Sequence, residues 1–173
     1  MTEDVLFVSR AKPDTIQAHQ SGQSWVYTFE KVGSKSPDEQ GAFLTYQLHF
    51  NQQQILETVE YPFQLAGLFS KTLVIQMVQS IGTARIDLRT RTLNLNLRYL
   101  NKTLLPSKED LLEHLGSPSE RQEANGTETW VYEYQKKQPN HSIYKTKIRF
   151  IFHKDQIQFI SLDSFVAIIQ MNF

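Results

Sequence analysis

Apolar and polar residues alternate along several stretches of the chain with the two-residue period of a half-buried strand. Leu44, Tyr46, Leu48 and Phe50 fall on one face, with Thr45, Gln47 and His49 on the other. Ile148, Phe150 and Phe152 repeat the pattern and leave Lys145, Lys147 and Arg149 outside. Trp25, Tyr27 and Phe29, like Trp130, Tyr132 and Tyr134, share one strand face opposite Thr28 or Glu133, so the aromatics are expected in the core. Glu133 would then lie beside Lys145 and Lys147, where a cross-strand ion pair is natural. Polar turns at 51–54 and 153–156 lead into a further apolar run, which makes the second and third strands a hairpin.

These stretches form an internal repeat. Glu3-Asp4 and Glu109-Asp110 are 106 positions apart, and the Trp-Val-Tyr triplets at Trp25 and Trp130 are 105 apart. Beyond a loop, 42–63 lies against 144–165 at an offset of 102, so that Phe50 meets Phe152, Ile55 meets Ile157 and Phe63 meets Phe165. A falling offset means deletions confined to loops, as in diverged copies of one unit. Each copy opens on a short helix. In the second, Ser107 is the N-cap, Leu111, Leu112 and Leu115 give the apolar stripe, and Gly116 with Pro118 stops it. The first copy opens at Thr2, with Ser9-Arg10 in place of the stop.

The expectation is an α+β protein of two repeated units, each a short helical segment packed on a three-stranded antiparallel sheet. Residues 1–66 form the first unit, 67–105 a connector and 106–173 the second. In the connector, Phe69, Leu73 and Met77 predict one helix over 65–81, ended by Gly82. It is too short, and too interrupted by Lys71, Gln76 and Gln79, to span a membrane. Leu93, Leu95 and Leu97 then alternate with Thr92, Asn94 and Asn96 as a strand that joins the second sheet or bridges both.

The run Pro106-Ser107-Lys108-Glu109-Asp110-Leu111-Leu112, with Leu115-Gly116-Ser117-Pro118, Trp130-Val131-Tyr132-Glu133-Tyr134, Ile148-Arg149-Phe150 and the strand at 157–160, resembles the SmpA/OmlA (BamE-like) domain. The resemblance covers about residues 106–165 directly and 2–63 through the second copy. It implies a helical pair on a three-stranded sheet, similar in fold to the repeated unit of the β-lactamase inhibitor protein, where tandem copies form a concave binding surface.

Composition narrows the chemistry. Eighteen basic residues balance eighteen acidic ones, so no overall field selects nucleic acid, membrane or acidic substrate. The absence of cysteine removes disulfides, thiolate zinc sites and cysteine nucleophiles. Histidines 19, 49, 114, 141 and 153 share no metal-ligand spacing, and no phosphate-binding glycine loop or serine elbow is present. No catalytic residue, cofactor or metal is therefore assigned. Residues 1–12 carry two acids and no long apolar run, which reads as cytoplasmic, or as envelope-associated if an export signal has been removed.

Two basic clusters remain. Arg85, Arg89, Arg91 and Arg98 punctuate the connector, and Lys145, Lys147 and Arg149 line a sheet face where the first copy has Thr45, Gln47 and His49. No aromatic interleaves these charges, which disfavours nucleic acid. The leading expectation is a non-enzymatic protein-binding or assembly module using these residues. Two alternatives are carried: an inhibitor plugging an enzyme with Asp38 and Glu39 of the 31–41 loop, and an enzyme whose pocket joins His49, His153 and a carboxylate.

Overall fold

The computed structural model describes residues 11–60, 62–80, 84–90, 92–97, 100–138, 143–164 and 168–173. Its first half is a meander of β1 (Thr15–His19), β2 (Gly22–Lys31), β3 (Phe43–Asn51) and β4 (Leu56–Glu60). Short helices α1 (Phe63–Leu68) and α2 (Lys71–Ser80), then β5 (Arg85–Asp87) and β6 (Thr92–Asn96), follow. After a 3-10 turn at Lys102–Leu104 comes α3 (Lys108–Leu115). A second meander of β7 (Glu120–Ala124), β8 (Thr127–Lys137), β9 (Ile143–His153) and β10 (Gln156–Ser164) ends in β11 (Ile168–Asn172).

These strands make one eleven-stranded sheet in the order β4-β3-β2-β8-β9-β10-β11-β6-β5, with β1 paired to β2 and β7 to β8. The expected α+β architecture of two separate helix-on-sheet units is therefore corrected: the molecule is mostly a single mixed sheet with three short helices among the described residues. Three physical causes account for this. First, the aromatic strands run beyond their aromatic triplets, to Lys31 and Lys137, and pair with each other through Glu30↔Gln135 and Lys31↔Tyr134. Second, β1 and β7 are exposed at every residue and carry no apolar alternation to mark them as strands. Third, β6 pairs in parallel with β11, so the connector extends the sheet rather than linking two.

The core lies on one face of this sheet. Trp25, Tyr27, Phe29, Leu44 and Phe50 join Trp130, Tyr132, Tyr134, Ile148, Phe150 and Phe152 in one cluster, continued by Ile160, Met171 and Leu95. Leu68 of α1 and Leu111 and Leu115 of α3 close it from the helix side. Each such side chain contributes roughly 1.5–3 kcal/mol by leaving water. Ser107 caps α3 in a capping box with Asp110, and the helix stops at Gly116. Where one connector helix is expected, two form, because Ser70 caps a new start by accepting from Leu73 N–H. Gly82, Arg91, Arg98, the opening helix at Thr2 and Phe165 lie outside the described residues. No helix among the described residues is long and apolar enough to cross a membrane.

The repeat pairing also shifts by one residue at the second hairpin. Phe50 faces Leu56 across β3 and β4, as Phe152 faces Ile157 across β9 and β10. Leu56, rather than Ile55, is thus the counterpart of Ile157, and Ile55 is exposed. Gly41 and Gly116 meet back to back at positive φ: a Cβ on either would lie 2.3 Å from a carbonyl oxygen, that of Leu115 or of Gln40.

Candidate functional site

The register sets out the open face strand by strand. Because paired residues share a face, Ser24, Val26, Thr28 and Glu30 lie with Thr45, Gln47 and His49 on the side away from the core. Glu30 pairs with Gln135, which carries the same face onto β8. From there Gln135, Glu133 and Val131 face Lys145, Lys147 and Arg149. All of the sequence-predicted binding residues thus occupy one continuous surface that crosses β3, β2, β8 and β9.

The basic cluster is partly neutralised. Glu133 lies between Lys145 and Lys147, with Oε1 2.7 Å from one ammonium and Oε2 3.0 Å from the other. The hydrogen bond from Lys145 first, and that from Lys147 after it, hold this carboxyl below the usual glutamate range against the opposing effect of burial. Arg149 donates from Nη1 to Ser161 Oγ at 3.5 Å and has no carboxylate partner among the described residues. Lys145 is exposed and Lys147 and Arg149 half-buried, so Arg149 supplies the charge least compensated within the fold.

The first meander answers with a chain of hydrogen bonds that sequence inspection does not find. Ser21 Oγ is 2.8 Å from His19 Nδ1, His19 Nε2 is 3.0 Å from Ser24 Oγ, Ser24 Oγ is 2.9 Å from His49 Nδ1, and His49 Nε2 is 2.9 Å from Glu60 Oε1. With both imidazoles neutral, one direction satisfies every link: Ser21 donates to His19, His19 to Ser24, Ser24 to His49, and His49 to Glu60. His19, Ser24, His49 and Glu60 sit on four different strands, with Ser21 in the turn between the first two. Only the register places them side by side, with His49 opposite Ser24 and Glu60 one pair further along.

Ser24, His49 and Glu60 have the connectivity of a nucleophile, a base and an orienting acid. Ser24 is only 4% exposed, however, and both cavities described in the molecule lie elsewhere. The arrangement works as a polar latch across four strands. His153, the expected companion of His49, is exposed on β9 in the other meander.

The 31–41 loop is tied down rather than projecting. Lys31 Nζ donates to Leu115 O at 2.7 Å, at the end of α3, and Gln40 donates to His114 O. Glu39 accepts from Ser34 Oγ and from Lys35 N–H, which leaves Asp38 as the acid not engaged by its side chain. Comparison of the chain with family models, curated proteins and solved structures yields no match.

Proposed function

We propose that the protein is a non-enzymatic binding module that receives a protein partner on the open face of its sheet. Lys145, Lys147 and Arg149 would make the charged part of the contact, and Thr45, Gln47 and His49 the polar part. One observation carries this reading: every hydrophobic side chain of the core cluster lies on the opposite face with the helices. The face bearing the six residues is left with mainly polar and charged side chains, set among Val26, Phe43, Val131 and Ile151. Ladder hydrogen bonds hold it in place, so docking would cost little ordering entropy. Complementary charge would set partner choice and association rate more than raw affinity.

The test is capture of a partner from the source cells by immobilised wild-type protein, beside the Lys145→Glu, Lys147→Glu, Arg149→Glu triple variant. Both are first shown to melt alike. A stoichiometric partner lost by the variant supports the reading. A partner held equally by both places binding elsewhere, and the absence of any captured partner removes the proposal.

A further inference from the structure

A second surface has unused hydrogen-bonding capacity. Between α2 and the β5-β6-β11 edge lies a cavity of about 880 Å³, within the range that holds drug-sized ligands. Gln76 and Gln79 of α2, Arg85, Asn94 and Asn172 line it. None of their side chains has a hydrogen bond or ion pair with a described residue, and Gln76 Oε1 is buried without a partner. Leu95, Leu97 and Leu100 supply an apolar wall, and no carboxylate is among the described lining residues.

Those features make three demands on an occupant. A buried carbonyl oxygen with no donor calls for an N–H or O–H from the ligand. A guanidinium without a carboxylate partner calls for an anion, and a planar carboxylate matches it in two hydrogen bonds. The leucine wall calls for an apolar side chain, and the carboxamides, each both donor and acceptor, match peptide groups. We infer that this cavity binds the C-terminal end of a short peptide, with an apolar last residue against Leu95, Leu97 and Leu100 and its free carboxylate on Arg85. The size of the cavity favours several residues over a single acylated amino acid.

The experiment uses the full ¹⁵N-labelled protein titrated with acetyl-Gly-Gly-Leu carrying a free carboxylate, with its C-terminal amide, and with acetyl-leucine. The expected result is saturable amide shifts around Gln76, Arg85 and Asn172, with binding weakened at least about tenfold by the amide and by Arg85→Gln. Arg85 is exposed, so this variant folds as wild type; Gln76→Leu gives a second, independent loss of affinity. The triple variant on the open sheet face should bind the probe unchanged, which separates this site from the proposed partner surface. Absence of shifts at millimolar probe, equal binding of acid and amide, or unaltered binding by Arg85→Gln would overturn the inference. Equal affinity for acetyl-leucine would overturn the peptide assignment.

Discussion

The two meanders share a backbone and differ in where they place their polar networks. In the second, a network built around Trp130 lies on the helix face, in addition to the Glu133 ion pairs of the open face. Glu128 accepts from Trp130 Nε1 at 2.6 Å and pairs with Lys108 and Arg121, while Lys108 also reaches Asp155 at 2.6 Å. Lys108 lies over the Trp130 and Phe152 rings and Arg121 over Trp130. At the matching positions of the first meander stand Gln23, Trp25 and Ile16, and Trp25 Nε1 is buried with no partner among the described residues. The open face shows the reverse: the His19-Ser24-His49-Glu60 latch of the first meander corresponds to Ala124, Thr129, Ile151 and Ser161 in the second. Apolar alternation is what the two halves hold in common, and ion pairs and hydrogen bonds are additions that each half makes at different positions.

The largest test of this contrast is Glu128→Ala, which leaves the Trp130 donor without its acceptor and Lys108 with only the exposed Asp155. We expect a loss of about 3–5 kcal/mol in denaturant unfolding, as for breaking other buried ion pairs. Gln23→Ala, at the matching position, should cost no more than about 1 kcal/mol. Next in size is the tryptophan pair. Trp130→Phe should cost about 1.5–3 kcal/mol more than Trp25→Phe, because only Trp130 gives up a hydrogen bond to a carboxylate. Equal losses would show that the orphaned Trp25 donor is satisfied by water.

Smaller still is the latch. His49→Ala should cost about 1 kcal/mol by leaving Ser24 and Glu60 without their shared partner. The double change Ser24→Thr, His49→Ile imports the arrangement of the other meander and should come within about 0.5 kcal/mol of wild type. A larger loss for the double variant than for His49→Ala would mean that the latch specifies the first hairpin.

The last test is pH. Burial by itself would raise the Glu128 carboxyl, but hydrogen bonds from Lys108 and Trp130 and the charges of Lys108 and Arg121 outweigh it and hold it below the ordinary range. A carboxyl depressed in the folded state contributes stability above its unfolded value of about 4.3, and that contribution is lost as pH falls through the folded value. The slope of melting temperature against pH on the acid side of about 4.3 should therefore be flatter in Glu128→Gln than in wild type. An unchanged slope would assign acid sensitivity to other groups such as Glu133.

The sequence made legible what alternation and capping encode. The core faces of β2, β3, β8 and β9, the capped helix after Ser107 and the cross-strand pairing of Glu133 with Lys145 and Lys147 could all be read from residue types and spacing. Side-by-side strand pairing carries no such signal. The exposed strand TIQAH and its counterpart ERQEA carry no apolar alternation, and the parallel contact of β6 with β11 joins segments far apart in the chain. Residue type gives no sign that Lys31 and Lys136 are buried, yet both are nearly inaccessible. His49 could be singled out by residue type, but its contact with Ser24 depends on a register that residue types alone do not set.

Those two buried lysines define how the halves meet. Glu30 and Gln135, which pair across the junction, are equivalent positions of the repeat, so a local two-fold axis passes between them. Lys31 lies over the Tyr132 ring and Lys136 over the Tyr27 ring, again equivalent positions exchanged, and Lys136 is anchored by Asp14. A contact in which each side gives what it receives is that of an isologous dimer. Here one covalent chain carries both sides. Connection raises the effective concentration of one half for the other far above that of free subunits. A ladder of two residue pairs, backed by the core cluster that both halves share, is then enough to keep one uninterrupted sheet.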